Sequence, residues 1–172
     1  LAAVAIVTGA AMLPAMGTMA DHGASLLAFE SAASVERSEE ILVAWGDAGK
    51  RAAWWQLALD APFLLAYGLF TAGACAAVAG RARRMGRARL SRLATLAVWL
   101  GPLAAAADLA QNASLALILR GHVAQPWPRI SAACGPLTTS LMAIALLFAL
   151  FGWLVTRGAG EAVVVTTGDG NG

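Results

Sequence analysis

Apolar and polar positions alternate along this chain in long blocks, four apolar runs separated by three polar stretches. A helical crossing of lipid needs roughly 20 apolar residues, and every run reaches that length. The first covers residues 1–20 and ends at Asp21 and His22. The second extends from about Trp54 to Gly80, the third from about Leu93 to Leu119, and the fourth from about Ile130 to Thr156. The pattern predicts an all-α polytopic membrane protein whose membrane domain, residues 1–157, is a four-transmembrane-helix bundle. The glycine-rich tail, residues 158–172, is expected to be disordered. Thr18-Met19-Ala20 resembles a small-residue cleavage site, so a signal peptide is the alternative reading of the first run, although no basic n-region precedes it.

The first polar stretch has its own periodicity. Ser34 is placed to cap a helix, with Glu36 in the first turn where the helix dipole favours an acid. Val35, Leu42 and Trp45 then recur at seven- and three-residue spacing, which predicts an extra amphipathic helix in the first loop. Gly46-Asp47 and Gly49 should end it. Interfacial anchors usually carry a basic polar face. This stretch instead holds six acids (Asp21, Glu30, Glu36, Glu39, Glu40, Asp47) against Arg37, Lys50 and Arg51. Packing over the mouth of the bundle is therefore the expected role.

Composition strengthens the membrane reading. The 172 residues are 59% hydrophobic and 13% charged, with a mean hydropathy of +0.69, whereas a soluble domain carries about 25% charge. The net charge of +2 hides a segregation. Arg81, Arg83, Arg84, Arg87, Arg89 and Arg92 follow one another without an acid. Basic residues are retained on the cytoplasmic side, so this loop should lie inside, with both termini cytoplasmic and the acidic loop and Pro126-Trp127-Pro128 outside. Trp54, Trp55 and Trp127 then fall at the outer interface and Trp153 at the inner one. The expected location is a plasma membrane, the inner membrane of a bacterium, since arginine and alanine usage has a high-GC character. The arginine run reads as a topology signal or an anionic-lipid contact, not as a nucleic-acid site. The lipid bilayer is the first expected partner, and an oligomer is compatible with the pattern. Cys75 and Cys134 should lie ~20 Å apart along the bundle, beyond the reach of a disulfide.

Few polar groups remain inside the runs, and they carry the candidate chemistry. Asp60 and Tyr67 are seven residues apart and share a helix face, with Gln56 one turn before Asp60. Asp108 and Asn112 are neighbours at i, i+4, beside Gln111. Asp60 should lie about two turns, and Asp108 about three turns, below the same outer surface. Two carboxylates at such depth need a partner, water or a ligand, and no base lies deep in any run; Arg51, Arg120 and Arg129 are rim residues. Asp60, Tyr67, Asp108 and Asn112 are accordingly the candidate ligand-binding residues, with an interhelical polar clamp as the structural alternative. Pro14, Pro62, Pro102 and Pro136 place one proline in each run, where each frees a carbonyl one turn earlier. Gly101, Gly135 and Ser140 permit close helix packing. His22 and His122 read as loop residues. No P-loop, dinucleotide fingerprint, zinc-protease motif, nucleophile elbow or cysteine-rich metal spacing is present, and neither a cofactor nor a metal is expected.

Three short patterns also resemble one known group. Ile-Leu-x-x-Trp-Gly (Ile41 to Gly46), Asp-x-x-Phe-x-x-x-Tyr (Asp60, Phe63, Tyr67) and Asp-x-x-x-Asn (Asp108, Asn112) are similar to those of small four-helix bacterial inner-membrane proteins without an assigned function. That resemblance implies a four-helix membrane fold and no reaction. Gln111 stands where the pattern commonly has glutamate, which weakens any claim for a second carboxylate in this helix. Three functions fit the residues. A small or lipid-like ligand bound at the outer polar site ranks first. A non-catalytic assembly or partner subunit comes second, and an intramembrane acid/base enzyme using the paired aspartates third.

Overall fold

A computed structural model describes the backbone of residues 1–165 and the side chains apart from those of residues 2, 5 and 158–165. Among the described residues the chain is all helix and turn, with no strand. Six helices follow in order: α1 (Ala2–Asp21), α2 (Leu26–Glu30), α3 (Val35–Arg84), α4 (Ala88–Ala97), α5 (Leu100–Leu119) and α6 (Trp127–Val165). Helix α3 is the spine and touches all five others, while α5 and α6 pack along each other.

The bundle is apolar on its outside. On α6, Leu147, Leu150, Phe151 and Leu154 are each more than half exposed. So are Leu65 and Leu69 on α3 and Leu103 and Leu109 on α5. Water would penalise such a surface; hydrocarbon would not. Among the described residues, three stretches are long and apolar enough to cross a membrane, within Val35–Arg84, Ala88–Leu119 and Trp127–Arg157. In the most apolar part of the last, only 17% is buried within the protein. The molecule is an apolar, membrane-spanning-like helical bundle.

Its interior is close-packed through small residues. A side-chain carbon on Gly101 would overlap the Thr71 hydroxyl and the Gly68 carbonyl, so the α3 and α5 backbones meet there. Gly152 likewise sits against Val78, and Ala79, Ala82 and Ala94 are buried where α3 packs on α4.

Element boundaries differ from the sequence pattern in three places. The expected span 54–80 is the later part of α3, which already starts at Val35 after Ser34, whose hydroxyl accepts the Arg37 N–H at 3.1 Å. The break falls at Gly46 alone, at φ 52°, a left-handed backbone that glycine adopts without a Cβ penalty. The expected span 93–119 begins earlier, as α4, and is interrupted at Val98 and Trp99 before α5. The interruption lies one turn before Pro102, which has no N–H for the Val98 carbonyl. Val98 and Trp99 keep αR backbone, so α4 and α5 form one long stretch kinked at this proline. Pro14, Pro62 and Pro136 do lie inside helices. Helix α6 continues into the tail expected to be disordered; residues 166–172 of that tail lie outside the described residues.

The α2 end of the bundle is closed by the largest apolar cluster. Trp45 and Phe29 are fully buried, their rings 4.8 Å apart, among Met19, Ile41, Leu115 and Ile118. The Trp45 indole donates to the Ala24 carbonyl at 2.7 Å. The face of the first part of α3 that the spacing marks as apolar thus packs inward over the bundle.

Candidate functional site

Two hydrogen bonds cross between α3 and α5. The Tyr67 hydroxyl donates to Asp108 Oδ2 at 2.7 Å, and the Asn112 amide donates to Asp60 Oδ2. The helices run antiparallel, so residues seven apart on α3 meet residues four apart on α5. The backbone approach at Gly68 and Gly101 draws the helices together. Phe63 packs edge-on against Tyr67, with ring centres 5.2 Å apart, and limits its rotation. Each aspartate is therefore held by a neutral donor from the facing helix. Such bonds contribute about 0.6–2 kcal/mol in membrane bundles.

The sequence places Asp60, Tyr67, Asp108 and Asn112 in one polar group, and the structure joins them in pairs. Their exposure to cavities differs. Asp108 lines a cavity of about 480 Å³ between α2, α5 and α6. Asn112 faces a smaller recess of about 290 Å³, otherwise lined by residues such as Trp54, Leu57 and Leu109. Asp60 and Tyr67 line neither.

The larger cavity brings in residues that the spacing did not single out. Glu30, at the end of α2, lines it together with Asp108 and Gln111. Several contacts fix α2 there. The Ser25 hydroxyl accepts the Ala28 N–H at 3.2 Å, Phe29 is buried against Trp45, and Ser131 on α6 donates to the Glu30 carbonyl at 3.0 Å. Burial, then the charges of Asp108 and Asp60, push the Glu30 carboxyl up to about 7. The three carboxyls thus form one electrostatic group. Gln111 is buried, and Gly135 makes room for it: a side-chain carbon at Gly135 would stand 3.4 Å from both amide heteroatoms. A glutamine in an apolar run, and an acid ending Leu26-Leu27-Ala28-Phe29, were the available signals.

No base neutralises this group. Among the described residues the one ion pair joins Arg37 to Glu40 on the surface. The Arg120 guanidinium lies over the Trp54 ring, 5.5 Å from its centre. Arg129, a rim residue in the sequence pattern, forms no ion pair among the described residues.

The hydroxyls of α6 that line the cavity have their hydrogens committed to backbone. Thr138 donates to Ala104 O at 3.4 Å, Thr139 to Gly135 O at 3.0 Å and Ser140 to Pro136 O at 2.7 Å. Towards the cavity they offer lone pairs. Pro136 has no N–H for the carbonyl of Ala132 one turn earlier, and both residues line the same space. Above about pH 7, where Glu30 is ionised, the lining is therefore rich in acceptors, and its clearest donor is the Gln111 amide. The histidines, cysteines and acids do not gather into a metal-holding group among the described residues.

No protein-family model, curated protein or solved structure matches this chain.

The chemistry must therefore be read from the site itself. An acceptor-lined cavity with uncompensated carboxyls suits a molecule that brings hydrogen-bond donors or positive charge. Gln56 adds one more polar feature on the α3 side: it is buried one turn from Asp60, and its Oε1 has no partner among the described residues.

Proposed function

We propose that this protein is a four-span membrane bundle that binds a small or lipid-like ligand at its outer polar cavity, and that the ligand presents an amine or hydroxyl end. In this reading α1 crosses the bilayer beside the three longer apolar stretches, and the first part of α3 is the amphipathic helix that covers the mouth. The arginine turn between α3 and α4 faces the cytoplasm with both termini, in a plasma membrane. Glu30 and Asp108 receive the ligand's donors and Gln111 orients it. Tyr67 holds Asp108 in place, while Asp60 and Asn112 clamp α3 to α5.

The observation that carries the reading is the acceptor-rich lining without a facing base. A carboxylate placed at membrane depth with no cation is costly, and a bound cation or donor offsets that cost. The assembly-subunit reading draws support from the clamp bonds, which account for Asp60 and Asn112 without a ligand. An acid/base enzyme needs both aspartates at one substrate atom, and only Asp108 reaches the larger cavity.

Thermal unfolding in a neutral maltoside detergent tests the proposal with three twelve-carbon probes: dodecylamine, dodecanol and dodecanoate. Dodecylamine should raise the melting temperature most and dodecanoate not at all. Equal responses to all three would contradict donor recognition, and no response to amine or alcohol would remove the ligand reading.

A further inference from the structure

At the opposite end of the bundle the turn from α3 to α4 carries a second site, unrelated to the carboxyl cavity. A groove of about 640 Å³ opens there, lined by Arg83 on the last turn of α3 and by Ala88, Ser91, Arg92, Thr95 and Leu96 along one side of α4. We propose that this groove binds the phosphate headgroup of an anionic phospholipid, with an acyl chain lying along the outer face of α4 and α5.

Charge is the first reason. The segment from Arg81 to Arg92 has six arginines and no acid. The side chains of Arg83 and Arg92 are exposed and form no hydrogen bond or ion pair among the described residues. Their neighbour Arg87 is committed differently, donating to the Val155 carbonyl of α6 at 3.2 Å. Arg157 lies over the Trp153 ring, 5.0 Å from its centre. Five arginines of the run thus keep their guanidinium groups uncommitted among the described residues, and two of them, Arg83 and Arg92, line the groove, where each presents a planar fork suited to phosphate oxygens.

Rigidity is the second reason. Ser91 donates to the Ala79 carbonyl at 3.3 Å, and fully buried Ala82 and Ala94 let α3 and α4 pack closely. Arg87 ties the turn to α6. The groove is held open by these contacts and requires no rearrangement to receive a headgroup.

The third reason separates a lipid from a free anion. Arg92, Leu96, Trp99 and Leu103 follow one another at four-, three- and four-residue spacing, which sets them in one stripe. Leu96 is 69% exposed, Trp99 65% and Leu103 54%. Eleven residues at about 1.5 Å each cover ~16 Å, close to the ~15 Å of one leaflet's hydrocarbon. A charged end followed by an apolar stripe of that length matches a phospholipid lying against the protein, and basic pockets between spans are a recurrent mode of anionic-lipid recognition.

The full chain in neutral detergent is titrated with dioleoylphosphatidylglycerol, dioleoylphosphatidylcholine and glycerol 3-phosphate, with binding read by thermal shift and native mass spectrometry. Phosphatidylglycerol should bind at least tenfold more tightly than either of the others. Arg83→Gln/Arg92→Gln should lose at least tenfold in that affinity, with an unchanged helical spectrum. Arg81→Gln/Arg89→Gln, which removes the same charge elsewhere on the turn, should lose less than twofold. Equal losses in the two double variants would overturn the groove in favour of a diffuse basic field. Equal binding of phosphatidylcholine would remove the anionic requirement, and glycerol 3-phosphate binding as tightly as the lipid would make this a free-phosphate site.

Discussion

Glu30 has the most consequential environment of any single residue. Its carboxyl is half-buried beside Asp108 and Asp60 with no base in reach, and it ionises near 7 instead of its ordinary 4.5. A raised carboxyl pKa means the folded protein holds this proton more tightly than the unfolded chain. The resulting stability is fully present below about 4.5 and is lost as the pH rises through about 7. Melting curves from pH 4 to 8 should show that decline, and Glu30→Gln should flatten it, recovering about 1–3 kcal/mol at pH 8. Tyr67 gives the converse case. Tyr67→Phe leaves Asp108 without its 2.7 Å donor and should cost about 1–3 kcal/mol in thermal or denaturant unfolding. Gln56 offers a gain. Its buried Oε1 has no partner among the described residues, so Gln56→Met should leave stability unchanged or raise it by up to about 1 kcal/mol in the same assay.

Among the helices, the meeting of α3 and α5 matters most, because it sets the distance across which Tyr67 reaches Asp108. Gly101→Ala would drive a methyl group into Thr71 and the Gly68 carbonyl. It should destabilise by about 1–3 kcal/mol, read as a lower melting temperature. Much of this arrangement is legible in sequence. The apolar runs mark the long helices, Ser34 and the spacing of Val35, Leu42 and Trp45 mark a helix ahead of the second run, and Asp60, Tyr67, Asp108 and Asn112 stand out as polar residues in apolar surroundings. What periodicity does not carry is rotation and tertiary approach. The face of Asp60 seen from sequence allows either a shared cavity or a bond to Asn112, and only helix packing decides. Glu30 escapes because charge alone assigns it to an acidic loop, whereas Phe29 against Trp45 and Ser131 on its carbonyl draw it into the bundle. Pro102 reads as a mid-span kink, and the structure has the interruption one turn before it, at Val98 and Trp99.

At the scale of the whole molecule, the two ends differ in chemistry. One end holds acids and acceptors around a cavity beside the Trp45 cluster, and the other presents guanidinium groups beside an apolar stripe. A bilayer between them accounts for the exposed leucines and phenylalanines of α3, α5 and α6. The measurement that bears most directly on the proposed ligand site is dodecylamine binding, by thermal shift at pH 8, to wild type, Glu30→Gln, Asp108→Asn and Asp60→Asn. Cavity recognition predicts that Glu30→Gln and Asp108→Asn melt at or above the wild-type temperature yet lose at least tenfold in amine affinity. Asp60→Asn, with its side chain outside the cavity, should keep affinity within about threefold, since long-range charge falls off with screening. If Glu30→Gln and Asp108→Asn bind the amine as wild type does, or if both unfold several degrees earlier, the carboxyls serve the fold and the cavity is not a ligand site.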